Sequence, residues 1–382
     1  MKIIVIGAGP AGLYLAYLLR RDRPDADIRV FEQNAPDATF GFGVVFSDRA
    51  LAFLKDDDPA TCDAIEPHLE SWQDITVVHR GRSMTIDGIG FSAIGRLHLL
   101  KLLQERLSSV GIAPVYRHSI DSLSDFADAD LIVGAEGAAG SLVRRTYEPH
   151  FGTTTVPLNN RFAWFGTTKR FETLTQTFVE TERGYFNAHH YRYAPDMSTF
   201  IVEADEETFR RYGFEHISET DSKNICETVF AEFLDGHPLV TNRSIWRRFP
   251  KIGNERWSYR NCVLVGDALR TAHFSIGSGT RLALEDVIAL AKALAAHGDD
   301  VQAALQTYEA ARRPVVEKLV SAANASAAWY EAFPTHMGLD TVDFVMSYLR
   351  RSGRLDINRL RQISPRFVAT YETERPRGAI TR

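Results

Sequence analysis

The sequence predicts an α/β chain: a Rossmann-like nucleotide-binding domain with a parallel sheet, an inserted β-rich domain, and C-terminal helices. Three observations carry that expectation. A strand, a glycine-rich turn and a helix open the chain; runs rich in Phe, Tyr and Thr fill residues 150–250; helix-length periodic segments return after residue 262.

Lys2–Ile6 is a short, continuous apolar run, the pattern of a strand covered on both faces. Gly7-Ala8-Gly9-Pro10-Ala11-Gly12 follows, Pro10–Arg21 reads as a helix, and Ile28–Glu32 as a second strand. In such a βαβ unit the glycines permit a tight turn and let backbone N–H groups approach a pyrophosphate, whose charge the helix N-terminus stabilises. A carboxylate ending the second strand accepts from ribose hydroxyls, and Glu32 stands there, 20 residues past Gly12. Gly7, Gly9, Pro10, Ala11, Gly12, Glu32 and the adjacent Gln33 are therefore candidate cofactor-binding residues.

Leucine recurs at 97, 100, 103 and 107 in Arg96–Ser108, a helical period, and Leu131–Gly134 reads as another buried strand. Arg161–Thr168, Thr175–Glu180, Tyr185–Tyr193 and Ser198–Glu203 read as strands of a mostly antiparallel unit. Cys262–Val265 returns to a buried strand, and Gly279–Ala296 and Val301–Ala328 read as long helices. The expected division is a discontinuous nucleotide-binding domain (1–70, 96–155 and 252–330), a substrate domain (71–95 and 156–251) and a C-terminal helical segment (331–382).

Hydrophobic residues at 45% and charged residues at 24% describe a globular chain, not a disordered or fibrous one. Forty-four basic against 49 acidic residues give a charge of -5, so no whole-molecule field draws nucleic acid. Cys62, Cys226 and Cys262 form no CxxC pair, disulfide framework or zinc spacing, which fits a reducing cytoplasm and no metal. His189 and His190 are neighbours in a strand, so they face opposite sides and cannot share a metal. The N-terminal apolar run breaks at Gly7 without a signal-peptide pattern, and Leu282–Ala296 contains Glu285, Asp286 and Lys292, so no membrane span is expected. No GxSxG or HExxH signature occurs.

Cys262-Val263-Leu264-Val265-Gly266-Asp267-Ala268 places an Asp just after a buried strand, and Gly277-Ser278-Gly279-Thr280 precedes a helix. Arg96 heads the helix with Leu99 and Leu103, and Asp130-Leu131-Ile132-Val133-Gly134-Ala135-Glu136-Gly137 is followed by Ser141 and Arg144. With the opening fingerprint, this set resembles the class A FAD-dependent aromatic monooxygenases. The resemblance implies that Gly266 and Asp267 bind the ribityl chain, that Gly277, Gly279 and Thr280 set backbone amides beside the flavin ring, and that Arg96 contacts the flavin. It also implies that Glu136 and Gly137 belong to a segment shared by FAD and NAD(P)H. Three departures stand out: Glu136 replaces the usual Asp, Ser141 comes one residue late, and the usual Pro after the Gly-Asp motif is absent.

Four phrases narrow the resemblance to a branch acting on aryl-CoA thioesters, that of salicylyl-CoA 5-hydroxylase and 2-aminobenzoyl-CoA monooxygenase. They are His273 to Thr280, Gly43 to Asp48, Ser198 to Glu203 and Leu349 to Arg354. What it implies is non-covalent FAD, since no Cys or His lies in a recognisable flavinylation motif, with NADH or NADPH as transient electron donor. Oxygen would add as a C4a-hydroperoxide and pass to an electron-rich ring; a free aromatic or tryptophan-derived indole substrate, or flavin reduction without oxygen transfer, is the alternative. His273, just before the flavin loop, is the candidate proton relay, with Ser275 beside it. Val45, His190, Tyr191 and Trp246 are candidate substrate contacts, and Arg350 and Arg354 of the Arg-rich tail are candidate partners for CoA phosphates. The expected partners are this small aromatic substrate and O2, on a monomer or homodimer.

Overall fold

Lys2–Ile6 lies inside a five-stranded sheet, between Asp27–Phe31 and Leu131–Gly134, parallel to both. Cys262–Leu264 adds in parallel beside Leu131–Gly134, and the short Ser258–Tyr259 closes that edge antiparallel. The computed structural model describes residues 1–47 and 52–374. Helix Pro10–Asp22 turns Leu13, Leu15, Leu18 and Leu19 inward, none more than 2% exposed. Each such side chain contributes about 1.5–3 kcal/mol on burial. Helices Arg96–Ser109 and Gly279–His297 pack against that helix, and Val301–Glu331 packs on Gly279–His297. The sheet-and-helix lobe is thus assembled from segments far apart in sequence.

The second sheet has eight strands. Its path runs Leu239–Val240, Thr153–Thr167, Met197–Ala204, Gly184–Ala194, Leu174–Thr181, Ile75–His79 and Arg82–Ile86, with Arg247–Asn254 also paired to Thr153–Thr167. All neighbours are antiparallel except Leu174–Thr181 and Ile75–His79, which run parallel. Alternation splits its side chains between two layers. Phe165, Phe186 and Phe200 join Phe209, Phe214 and Phe230 in an apolar core on one face, while Leu174, Gln176, His189, Tyr191 and Ile201 face a large cavity. A three-stranded sheet of Gly43–Ser47, Phe91–Gly95 and Glu70–Trp72 bridges the two lobes.

The tail folds back as helices Thr341–Arg350, Ile357–Ile363 and Pro365–Glu374. Asp87 accepts from the backbone N–H groups of Arg366 and Phe367 at 3.2 and 2.9 Å, capping the last helix, and Ser364 Oγ donates to Asp87 O. These contacts pin the tail to the hairpin of Ile75–His79 and Arg82–Ile86, where Tyr348, Leu349, Leu360 and Phe367 share a core with Ile75, Met84 and Ile86. Among the described residues no helix is long and apolar enough to cross a membrane.

Candidate functional site

One cavity of about 1260 Å³ touches the glycine-rich turn, the β-rich sheet and the folded-back tail. Sites for single drug-sized ligands span roughly 300–1,000 Å³, so this one has room for a dinucleotide and a second molecule.

Two kinds of glycine build its nucleotide end. A Cβ on Gly12 would meet Gly7 O at 1.9 Å, and one on Gly7 would meet Ala135 O at 2.3 Å, so both are needed for the turn to close on the sheet. Gly9, Gly137 and Gly279 have no atom within 4 Å of an added Cβ: their free side is cavity. Helices Pro10–Asp22 and Gly279–His297 begin at this cavity with no acidic residue in the first turn. Their positive ends therefore remain available to an anion or an electron-rich ring atom.

The polar groups agree with that reading. Glu32 accepts from Ala8 N at 3.0 Å and from Asn34 N and Nδ2 at 2.9 and 2.7 Å, which fixes its carboxylate beside the turn with lone-pair capacity left toward the cavity. Gln33 lines the same stretch. Asp267 makes no side-chain hydrogen bond among the described residues. It opens onto the cavity but is ringed by protein; burial raises its carboxyl, and Arg96 and Arg270 pull it back down. Arg96 mirrors it: burial lowers its guanidinium and Asp267 raises it, and among the described residues the guanidinium makes one hydrogen bond, from Nε to Thr39 Oγ1 at 3.0 Å. Asp267, without a side-chain hydrogen bond among these residues, and Arg96, with one from its guanidinium, are each other's charge partners and both face the cavity with hydrogen-bonding capacity left for a ligand. The cradle therefore fits FAD, and it brings together on one cavity the residues that the resemblance implies for it: the turn Gly7 to Gly12 and Glu32, and Gly266, Asp267 and Gly277 to Thr280.

Glu136 lines the cavity but spends its carboxylate inside the protein. It accepts from Ser141 Oγ and Leu142 N, both at 2.7 Å, and from Val143 N at 3.2 Å. The longer side chain and the late serine meet in one cap on helix Leu142–Thr146, so the two departures compensate each other and shape the loop carrying Gly137.

The loop after Asp267 is held from behind. His273 Nδ1 lies 2.8 Å from Ser275 Oγ, which lies 2.8 Å from Ser326 Oγ. Arg351 donates from Nε to Ser326 Oγ at 3.1 Å and from Nη2 to Ser275 O at 3.0 Å. Ser275 lines the cavity and His273 stands behind it, buried, its imidazole lowered by burial to about 4 despite the nearby Glu203 carboxyl. His273 is thus neutral at pH 7, and its hydrogen bond toward the cavity goes through Ser275. Gly277 sits at φ +60°, and a Cβ there would meet Val45 Cγ1 at 2.9 Å, so the loop packs directly on strand Gly43–Ser47.

The substrate candidates divide. Val45, Tyr191 and Arg354 line the cavity, and Tyr191 donates its hydroxyl to Gly43 O at 3.0 Å. His190 does not: it lies on the other face of the sheet, 2.8 Å from Thr177 Oγ1 and stacked on Phe200. Its neighbour His189 faces the cavity instead. Trp246 packs on Phe209 and Phe214 and donates Nε1–H to Ser222 Oγ at 2.6 Å, in the apolar core away from the cavity. Arg350 is exposed outside it, while Arg351 and Arg359 line it. Asp48 lies outside the described residues. His189 carried a signal: residues two apart share a strand face, so Tyr191 selects His189 rather than His190.

Comparison with known proteins agrees with the geometry. The FAD binding domain family matches residues 108–323, and the NAD(P)-binding Rossmann-like domain family matches residues 5–37. Salicyloyl-CoA 5-hydroxylase of Streptomyces sp is 40% identical over 92% of this chain and 70% of its own length. The chain is a FAD-dependent aromatic monooxygenase of the branch that contains that enzyme. Two further relatives of this monooxygenase are 3-hydroxy-4-methyl-anthranilyl-[aryl-carrier protein] 5-monooxygenase of Streptosporangium sibiricum (38% identical, 87% of this chain, 90% of the relative) and protodeoxyviolaceinate monooxygenase of Chromobacterium violaceum (34%, 91% and 94%). A variant of 2-methyl-3-hydroxypyridine-5-carboxylic acid oxygenase shares its fold, with TM-score 0.70 at 16% identity over 92% of this chain and 96% of the other. FAD is thus the monooxygenase's cofactor, with NAD(P)H as electron donor.

Proposed function

We propose that this monooxygenase hydroxylates the ring of an aromatic acid carried as its CoA thioester, with NADH or NADPH and O2 as co-substrates. Ring C–H, O2, NAD(P)H and a proton give ring C–OH, water and NAD(P)+. Bound FAD, reduced by the nicotinamide, supplies the activated oxygen; the chain supplies binding, orientation and exclusion of water.

The observation that carries the thioester is the stretch of the cavity to whose wall the tail contributes. Ile89, Phe91, Leu355 and Ile363 wall it with apolar surface, and the exposed Arg354 and Arg359 line it as well. Arg361 and Arg366 are committed elsewhere, to Glu372 and to Asp74 and Asp87. A bare aromatic acid needs one cationic contact in a closed pocket. A thioester needs an apolar passage for its arm and separate cations for its phosphates. The names of the 40% and 38% identical relatives likewise place an aryl group on CoA and on an aryl-carrier protein. An ortho hydroxyl or amino group raises electron density at the para carbon, so salicylyl-CoA would give the 5-hydroxy product. In this reading residues 71–95 and 156–251 hold the substrate side and the flavin side comes from 1–70, 96–155 and 252–330, in a cytoplasmic monomer or homodimer.

The double substitution Arg354→Glu and Arg359→Glu should raise the apparent KM for salicylyl-CoA by about tenfold or more, because it removes two charge-assisted hydrogen bonds to the phosphates. FAD content and kcat should stay near wild type, because neither residue touches the flavin cradle. Steady-state kinetics on holoenzyme decide it: an unchanged KM counts against the thioester.

A further inference from the structure

On the cavity face of the β-rich sheet, Gln176 and His189 are register partners across adjacent strands, set among Leu174, Tyr191 and Ile201. Each is held from behind. His189 Nε2 lies 3.3 Å from Glu203 Oε2, and Glu203 Oε1 accepts from Asn160 Nδ2 at 2.8 Å. Asn160 Nδ2 also donates to Tyr330 O at 2.9 Å, and the Tyr330 hydroxyl donates to Gln176 Oε1 at 2.9 Å. Glu203 and Tyr330 are 2% and 0% exposed, so these anchors do not exchange with bulk water. Two polar groups are left over. Gln176 Nε2 and His189 Nδ1 make no hydrogen bond among the described residues, and both side chains line the cavity.

A polar pair fixed by buried partners, with one free atom each turned to the cavity, is held ready for a group that enters it. A group that can both donate and accept completes it in either tautomer, because a neutral imidazole presents either a donor or an acceptor at Nδ1 while the amide donates. Burial, with Arg351 nearby, holds His189 neutral, lowering it to about 3, and burial raises the Glu203 carboxyl, so the pair itself carries no cation. A hydroxyl or amino group completes the pair in either tautomer, whereas a carboxylate, which only accepts, does so in one.

We propose that Gln176 and His189 form a clamp for a hydroxyl or amino substituent on the substrate ring, with Glu203 and Tyr330 as positioning residues, and that this clamp decides which ring carbon is offered for hydroxylation. It rests on the aromatic-hydroxylase reading but not on the thioester. Gripping the substituent orients the ring about the axis through its activated carbon. A flat apolar wall would leave that rotation free.

The test titrates holoenzyme with two matched pairs, salicylyl-CoA against benzoyl-CoA and salicylate against benzoate, and follows the flavin absorbance change on binding. In the wild type, the hydroxylated member of whichever pair binds should be favoured about tenfold or more, the loss expected for one to two unmade hydrogen bonds. In Gln176→Leu and in His189→Leu the preference should fall to within about threefold while the Kd of the unsubstituted member barely moves. Glu203→Gln should lose part of the preference, which a merely structural role would not touch at equal FAD content. If one leucine variant fails to retain FAD, the other decides. A tenfold preference persisting in a variant with full FAD overturns the clamp, as does a wild type with no preference or with no binding of either pair. Preference seen only with the free acids keeps the clamp and overturns the thioester.

Discussion

Gly279→Val should leave the melting temperature of the apoprotein within about 2 °C of wild type, while weakening FAD binding at least about tenfold. The reason is a contrast between glycines. An added Cβ at Gly279 meets nothing within 4 Å, so the apoprotein has no strain to feel; the valine instead fills the space at the N-terminus of helix Gly279–His297 that the cradle leaves for the flavin. Gly12→Ala should behave in the opposite way. Its Cβ would meet a backbone oxygen at 1.9 Å, so turn and helix must part, at a cost of about 1–3 kcal/mol or more before any cofactor is considered. Thermal melts of apoprotein and fluorimetric FAD titrations of both variants check the pair. An apoprotein destabilised by Gly279→Val would remove that position from the cavity wall.

Asp267→Ala should weaken FAD by roughly ten- to a hundredfold, the value of one hydrogen bond to a charged group. In the apoprotein the same change should alter how stability depends on pH, because Asp267, exposed to the cavity, faces Arg96 and Arg270. Burial raises the Asp267 carboxyl in the folded chain, so the folded state holds a proton that the unfolded state releases. Its contribution to stability is therefore present below the ordinary carboxylate range, near pH 4, and is lost as pH rises through the raised value. Relative to wild type, apo Asp267→Ala should gain stability between about pH 4 and pH 7, whereas the holoenzyme should lose it. Denaturant titrations of both forms at the two pH values show the crossing. A variant that loses stability relative to wild type over that range in both forms would mean that Asp267 serves the fold rather than the cofactor.

Much of the nucleotide end was legible in the sequence because its constraints are local. A turn that must close needs Gly7 and Gly12, whatever lies elsewhere, and the acid that ends the second strand follows from the length of one βαβ unit. Helix Arg96–Ser109 and strands Leu131–Gly134 and Cys262–Leu264 were readable for the same reason: period and apolar runs belong to each segment alone. The three-stranded bridge of Gly43–Ser47, Phe91–Gly95 and Glu70–Trp72 was not, since its strands are short and owe their pairing to partners as far away as Gly43 is from Gly95.

The substrate end failed where a side chain's meaning depends on which face it takes. His190 and His189 differ by one residue and by the whole thickness of a sheet, and only strand alternation read together with Tyr191 separates them. In the tail, Arg351 rather than Arg350 turns inward, because helix Thr341–Arg350 buries Phe344, Tyr348 and Leu349 and so sets the direction of the residues that follow. Glu136 shows the converse. Read alone it is a departure from a motif; beside Ser141 it is a helix cap.

The most direct measurement supplies purified holoenzyme with NADH and ¹⁸O-labelled O2 and compares salicylyl-CoA, free salicylate and free tryptophan by mass spectrometry. The predicted result is one labelled oxygen on the ring of the thioester, formed in step with NADH consumed, and none on the free acid or the indole. Labelled product from the free acid or the indole alone, or NADH consumed with no labelled product from any of the three, would contradict it.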